Sequence, residues 1–145
     1  ERIARFIPRV LVEYPFEVLV GAVALLMGLP FLLGTAAPAS LLALVGSIAF
    51  HAWAVALVVG GVTIFAGLHL PNYPNPLILA AGLQLAGGAF GIYAIGALAV
   101  LGFAGWTGFA AYILLAVLAF VRCHHFRRIA DIQKGASQIL KEEAE

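Results

Sequence analysis

The sequence is short of charged residues, and its long central part has none. Only 10% of its 145 residues are Asp, Glu, Lys or Arg, and the 104 residues from Val18 to Val121 contain none of these. A soluble domain carries about 25% charged residues. The uncharged stretch therefore excludes an ordinary soluble enzyme. The net charge of only +1 excludes a basic nucleic-acid-binding domain, so no nucleic-acid partner is expected.

Cysteine and the usual catalytic patterns are also scarce. The one cysteine, Cys123, excludes a disulfide within the chain, and no CxxC or HExxH pattern is present. The uncharged stretch has no carboxylate, lysine or cysteine to serve as nucleophile, acid–base pair or metal ligand. We therefore predict that the chain is not an enzyme.

Apolar residues are abundant instead. They make up 63% of the chain, and the mean hydropathy is +1.06, more than a soluble core of this length can bury. A membrane-spanning helix needs about 20 apolar residues, so the uncharged stretch holds about four. With breaks at proline and glycine, the prediction is an all-α, polytopic integral membrane protein. Its single four-helix transmembrane domain has spans at about 16–33, 39–68, 77–101 and 105–121.

The second of these spans is too long for a straight crossing. Its 30 residues would extend about 45 Å, against about 30 Å of hydrocarbon. We expect the helix to tilt, protrude or bend, with the bend at Gly60–Gly61.

Lysine and arginine occur only in the two flanks, which predicts that both termini are cytoplasmic. The N-terminal flank reads as a short interfacial segment, because its arginines recur at helical spacing. Arginines of both flanks are expected to contact lipid headgroups, and they are Arg2, Arg5, Arg9, Arg122, Arg127 and Arg128.

Residues 122–145 are predicted to form a cytoplasmic, amphipathic helical tail. Four apolar residues in it follow the a/d spacing of a coiled coil, and they are Ile129, Ile132, Ala136 and Ile139. This stripe predicts a helix that packs on another copy of the chain or on a different protein. The alternative is a helix that lies on the membrane surface.

Histidines are the candidate cofactor ligands. His51 follows Ser47 by one helical turn, and a span starting at Ala39 would place it about 18 Å into the membrane. It is predicted either to hydrogen-bond to Ser47 or to ligate haem or chlorophyll. His69 is predicted to reach the same side of the membrane as the tail, where a haem or metal site would use it with His124 and His125. A chain without any cofactor remains the other possibility.

Glycines are expected to bring helices together. Gly87 and Gly91 form a GxxxG pair in the third span beside Gly88, and the fourth span adds Gly105 and Gly108. Small residues allow the close approach that holds membrane helices together.

Three functions follow from these patterns. The first is a non-catalytic scaffolding or accessory subunit, assembled through glycine-rich faces with other membrane-protein subunits or with copies of itself. The second is a redox or light-harvesting subunit that carries haem or chlorophyll on His51 or His69. The third is an oligomeric membrane-lesion protein, since the small size, several spans and charged tail resemble holins in composition.

Overall fold

Four helices make up almost all of the described structure. The computed structural model describes residues 13–34, 46–69 and 75–142. The helices are α1 (Pro15–Leu32), α2 (Ser47–His69), α3 (Pro76–Leu101) and α4 (Trp106–Glu142), with a short 3-10 helix, Gly102–Gly105, between α3 and α4. All four are long and apolar enough to cross a membrane, which confirms the predicted all-α, four-helix architecture.

Local sequence explains where the helices begin and end. Proline at the first position of α1 and of α3 has no N–H that would be left unbonded there. The Asn75 side chain caps α3, accepting hydrogen bonds from the N–H groups of Leu77 (3.1 Å) and Ile78 (3.3 Å). α3 ends at Gly102, whose φ of +55° suits glycine.

The second helix is shorter than predicted. It begins at Ser47, directly after Gly46, whose φ of +76° is incompatible with a continuing helix. The predicted start at Ala39 is therefore wrong, and residues 39–45 lie outside the described part of the chain. The 23 residues of α2 extend about 35 Å, close to one membrane crossing.

The fourth span and the predicted tail form one helix. α4 runs for 37 residues without interruption, about 55 Å, so no break separates residues 105–121 from the tail. Its first half packs on α3, and its last turns extend past the start of α3. The tail is thus held by the same helix that crosses the membrane.

Consecutive helices pack antiparallel, and glycines set their spacing. On α2, Gly60 faces α3, where a Cβ would lie 2.9 Å from the backbone nitrogen of Ala86. Gly61 faces α1, where a Cβ would lie 2.9 Å from the carbonyl oxygen of Gly21. The predicted bend site at Gly60–Gly61 is therefore the point where α2 approaches both neighbours, and the helix continues through it.

Candidate functional site

A buried ion pair joins the first and last helices. The carboxylate of Glu17 in α1 is fully buried. Its Oε1 accepts a hydrogen bond from Arg122 Nε at 2.6 Å and forms an ion-pair contact with Arg122 Nη2 at 2.5 Å. The start of α1 and the second half of α4 therefore lie at the same end of the bundle, which we call the charged end.

The depth of this pair follows from the length of α4. Arg122 comes 16 residues after Trp106, about 24 Å along the helix, whereas Arg127 comes 21 residues after it, about 32 Å. Trp106 is half exposed at the start of α4, and tryptophan is enriched at membrane interfaces. If Trp106 marks one interface of a straight crossing through about 30 Å of hydrocarbon, Arg127 would reach the opposite interface and Arg122 would lie inside it.

Arg122 is one of the arginines predicted to contact lipid headgroups, and its side chain is 37% exposed. Its guanidinium turns towards the bundle, where it meets Glu17 and lies 5.3 Å from the ring centre of Phe126. Phe126 is buried and its ring is 6.5 Å from that of Tyr14 in α1. A charge placed this deep is favourable only with such partners.

Arg127 also reaches back along the bundle. It donates a hydrogen bond from Nη2 to the carboxamide oxygen of Gln84 in α3. Both side chains are exposed on the outer surface of the helix pair. Arg128, the next residue, is exposed as well, and Arg2, Arg5 and Arg9 lie outside the described residues.

A half-open cavity of about 720 Å³ lies between α2 and α3. It begins at Gln84 and Phe120, near the charged end, and reaches Gly96 on α3 and Ala49 on α2. Small residues make it deep, and they are Ala49, Ala52, Ala56, Gly88 and Gly96. Because its surface is almost wholly apolar, we call it the apolar groove.

Aromatic side chains form the floor of the apolar groove. Trp53 stacks on Tyr93 with ring centres 5.4 Å apart and planes 14° apart. Its indole N–H donates to the carbonyl oxygen of Ala89 at 2.8 Å. This bond satisfies the polar group of Trp53, so the floor presents ring surface to whatever enters the groove.

The glycines predicted to bring helices together do not all face a neighbouring helix. A Cβ on Gly87 would lie 3.0 Å from Ala119 of α4, and one on Gly91 would lie 3.8 Å from Ala116. Gly88 and Gly108 have no heavy atom within 4 Å of that position. The GxxxG pair thus faces the chain's own α4, whereas Gly88 opens into the groove. The surroundings of Gly105 lie outside the described part of the chain.

The histidines are separated. His51 is exposed within the first two turns of α2, and the start of this helix at Ser47 removes the longer helical path on which its predicted depth depended. Its Nδ1 lies 2.6 Å from the Ser47 carbonyl oxygen, and His69 Nδ1 lies 2.9 Å from that of Phe65. The pairing predicted for His51 is thus made with backbone rather than side chain.

The histidines predicted to join His69 in a cofactor site lie on α4. Its one-turn backbone contact keeps Nδ1 engaged, His124 and His125 are exposed on α4, and Cys123 is buried. Within residues 13–34, 46–69 and 75–142, no three His, Cys, Asp or Glu side chains lie together as metal ligands would. None of the histidines lines the apolar groove.

The four residues predicted to pack on a partner helix differ in their exposure. Ile129 is half-buried and packs against the core. Ile132 and Ile139 are 71% and 58% exposed, and Ala136 is exposed between them. Ile132 lies five residues beyond Arg127, so a straight crossing that begins at Trp106 would leave this apolar stripe outside the hydrocarbon, where exposed isoleucine is unfavourable.

Comparison with known protein families, with curated proteins and with solved structures finds no match to this chain. The class therefore follows from the fold alone. Four helices of sufficient length and hydropathy fit a multi-pass membrane protein.

Proposed function

We propose that this protein is a non-catalytic membrane subunit that assembles with copies of itself through the end of α4. The observation that carries the proposal is the exposed stripe of Ile132, Ala136 and Ile139 on a helix that extends beyond the bundle. An isoleucine that faces lipid is in a favourable environment, but one that faces water gains about 2 kcal/mol when it is covered.

The charge pattern of this stripe suits a parallel pair of helices. Asp131, Lys134 and Gln138 lie away from the a/d stripe, so two copies can meet without bringing like charges together. When two copies are inserted in one membrane with the same orientation, the ends of their α4 helices lie on the same side and point in the same direction, as a parallel pair requires. A parallel coiled coil of two short heptads is weak alone, but the membrane raises the effective concentration of the copies.

The non-catalytic part of the proposal rests on the ion pair. Glu17 is a carboxylate within the membrane, which the sequence had not indicated. Arg122 holds its Oε1 through a hydrogen bond from Nε and an ion-pair contact from Nη2, whereas Oε2 is buried without a hydrogen-bond partner among the described residues. In this proposal the pair serves to join α1 and α4. The uncharged stretch from Val18 to Val121 offers no carboxylate, lysine or cysteine for acid–base work, and the buried Cys123 follows Arg122 directly in α4.

The experiment is a native mass measurement in mild detergent, with the stripe altered. We expect the unchanged protein to give an oligomer of defined size and Ile132→Glu to give a monomer, because a carboxylate cannot be buried in the helix pair. Gln138→Glu is the matched control, since it adds the same charge outside the stripe and is expected to leave the oligomer intact. A monomeric unchanged protein, or an oligomer that survives Ile132→Glu together with Ile139→Glu, would refute this assembly.

A further inference from the structure

We propose that the apolar groove binds one anionic phospholipid. One acyl chain lies in the groove between α2 and α3, and the phosphate is held by Arg127. The proposal depends on the groove and on its charged mouth, and it does not depend on assembly through α4.

The shape of the groove suits a chain-like, apolar ligand. From Gln84 to Gly96 it follows α3 for 12 residues, about 18 Å. Its volume of about 720 Å³ lies within the range of small-molecule sites. No side chain of the described structure fills the space beside Gly88 or Gly96, since a Cβ there would meet no heavy atom within 4 Å. Ile92, between them, is 61% exposed on the rim.

The mouth of the groove provides the headgroup contact. Gln84 lines the groove and accepts a hydrogen bond from Arg127, which fixes the guanidinium beside the groove's end. A guanidinium has five N–H donors, and Gln84 engages one of them among the described contacts. The remaining donors match the geometry of a phosphate diester. Arg127 lies about 32 Å along α4 from Trp106, so a straight crossing that begins at Trp106 would bring Arg127 to the depth of lipid phosphates.

Charge favours a lipid over a helix from a second copy. The parts of the four helices that lie in the uncharged stretch have no carboxylate to face Arg127, and the carboxylate at the start of α1, Glu17, is paired with Arg122. The arginine-rich flanks also predict that the charged end faces the cytoplasm. Anionic lipids are concentrated in that leaflet, and each nearby arginine adds about 1 kcal/mol to their binding.

Trp53 allows a direct test, because it lies in the groove floor. Trp106→Phe leaves Trp53 as the one tryptophan of the chain. This variant is placed in phosphatidylcholine vesicles that contain a minor fraction of phospholipid brominated in its acyl chains, since bromine quenches nearby tryptophan fluorescence. We expect brominated phosphatidylglycerol to be about fivefold more effective per molecule than brominated phosphatidylcholine.

Two variants test the acyl-chain site and the headgroup site of the lipid separately. Arg127→Gln is expected to abolish the preference for phosphatidylglycerol. Arg128→Gln is its control, because it removes an exposed arginine at the next position, and it is expected to retain the preference. Gly88→Leu places its Cβ in open space and its side chain in the groove, and it is expected to weaken quenching by both lipids. Ala110→Leu, on an exposed position of α4, is its control. If Gly88→Leu does not fold, Gly96→Leu makes the same test.

Three results would overturn the proposal. The first is equal quenching by the two brominated lipids, and the second is a preference that survives Arg127→Gln. The third is protection of Trp53 from quenching by both lipids that is lost when Ile132→Glu breaks the oligomer. That result would mean that a second copy of the chain, rather than a lipid, covers the groove in the oligomer. Because Ile132 is remote from the groove, loss of assembly with an unchanged lipid preference would refute the proposed function and leave the lipid site standing.

Discussion

Glu17 is the last charged residue before the uncharged stretch, Arg122 is the first after it, and the two bind each other. Although 105 positions separate them in the sequence, Arg122 Nε and Nη2 lie 2.6 Å and 2.5 Å from Glu17 Oε1. The Glu17 side chain is fully buried, whereas that of Arg122 is 37% exposed. The pair thus fastens α1 to α4, two helices that make few other contacts with each other.

Breaking this ion pair is predicted to destabilise the protein. Arg122→Gln removes the partner of a buried carboxylate and is expected to lower the free energy of unfolding by about 3 kcal/mol. Reversible unfolding in detergent, followed by circular dichroism, measures the loss. Arg128→Gln is the matched control, because that arginine is exposed on the same helix, and it is expected to change stability by less than about 0.5 kcal/mol.

The same pair can be tested by a double-mutant cycle. Glu17→Gln combined with Arg122→Gln leaves no buried charge, so we expect it to cost less than the sum of the two single changes. Strict additivity of the two losses would mean that the ion pair does not contribute to the fold in a membrane-like environment.

Two glycines on neighbouring helices are predicted to respond oppositely to alanine. A Cβ on Gly60 would lie 2.9 Å from the backbone nitrogen of Ala86 and 3.2 Å from the carbonyl oxygen of Gly82. Backbone cannot move aside as a side chain can, so Gly60→Ala is expected to cost about 1–3 kcal/mol. Gly88→Ala meets open space and is expected to gain up to about 1 kcal/mol from its higher helix propensity.

Thermal unfolding midpoints of these two variants make the comparison. If Gly60→Ala were as stable as Gly88→Ala, α2 and α3 would not approach each other as closely as the structure has them.

Cys123 is predicted to be shielded from reagents in water. Its side chain is 5% exposed and belongs to the packed core, one position from the ion pair. We expect a water-soluble maleimide to label it at least about tenfold more slowly than a cysteine at Ser137, because labelling requires local opening of the bundle. The comparison uses Ser137→Cys in a Cys123→Ser background, and the mass shift of the protein follows each reaction.

Similar labelling rates at the two positions would contradict this packing of α4. Arg122→Gln provides a second test. Because it weakens the attachment of α4 to α1, we expect it to raise the labelling rate of Cys123.

Helix number and most helix ends could be predicted from the sequence. Spans one and three were predicted to within about one residue, because Pro15 and Pro76 start these helices and Gly34 and Gly102 follow their ends. The start of α2 could not be predicted as well. Residues 39–46 are as apolar as a helix interior, and only the positive φ of Gly46 shows that the helix begins after it.

The candidate site was less predictable. The positive flank predicts headgroup contact for Arg122, but its position in the sequence could not reveal that its guanidinium also pairs with Glu17. Likewise, a GxxxG pair shows that helices pack, but not that Gly87 meets Ala119 of the same chain while Gly88 is left open.

The sequence by itself determined that this chain forms four apolar helices, because hydropathy over about 20 residues depends only on the local composition. The tertiary structure decided which polar groups meet inside them. Glu17 with Arg122, and Gln84 with Arg127, are partners 105 and 43 positions apart, brought together by the way the helices pack. The groove between α2 and α3 has the same origin, since a cavity is formed by the surfaces that packing leaves uncovered.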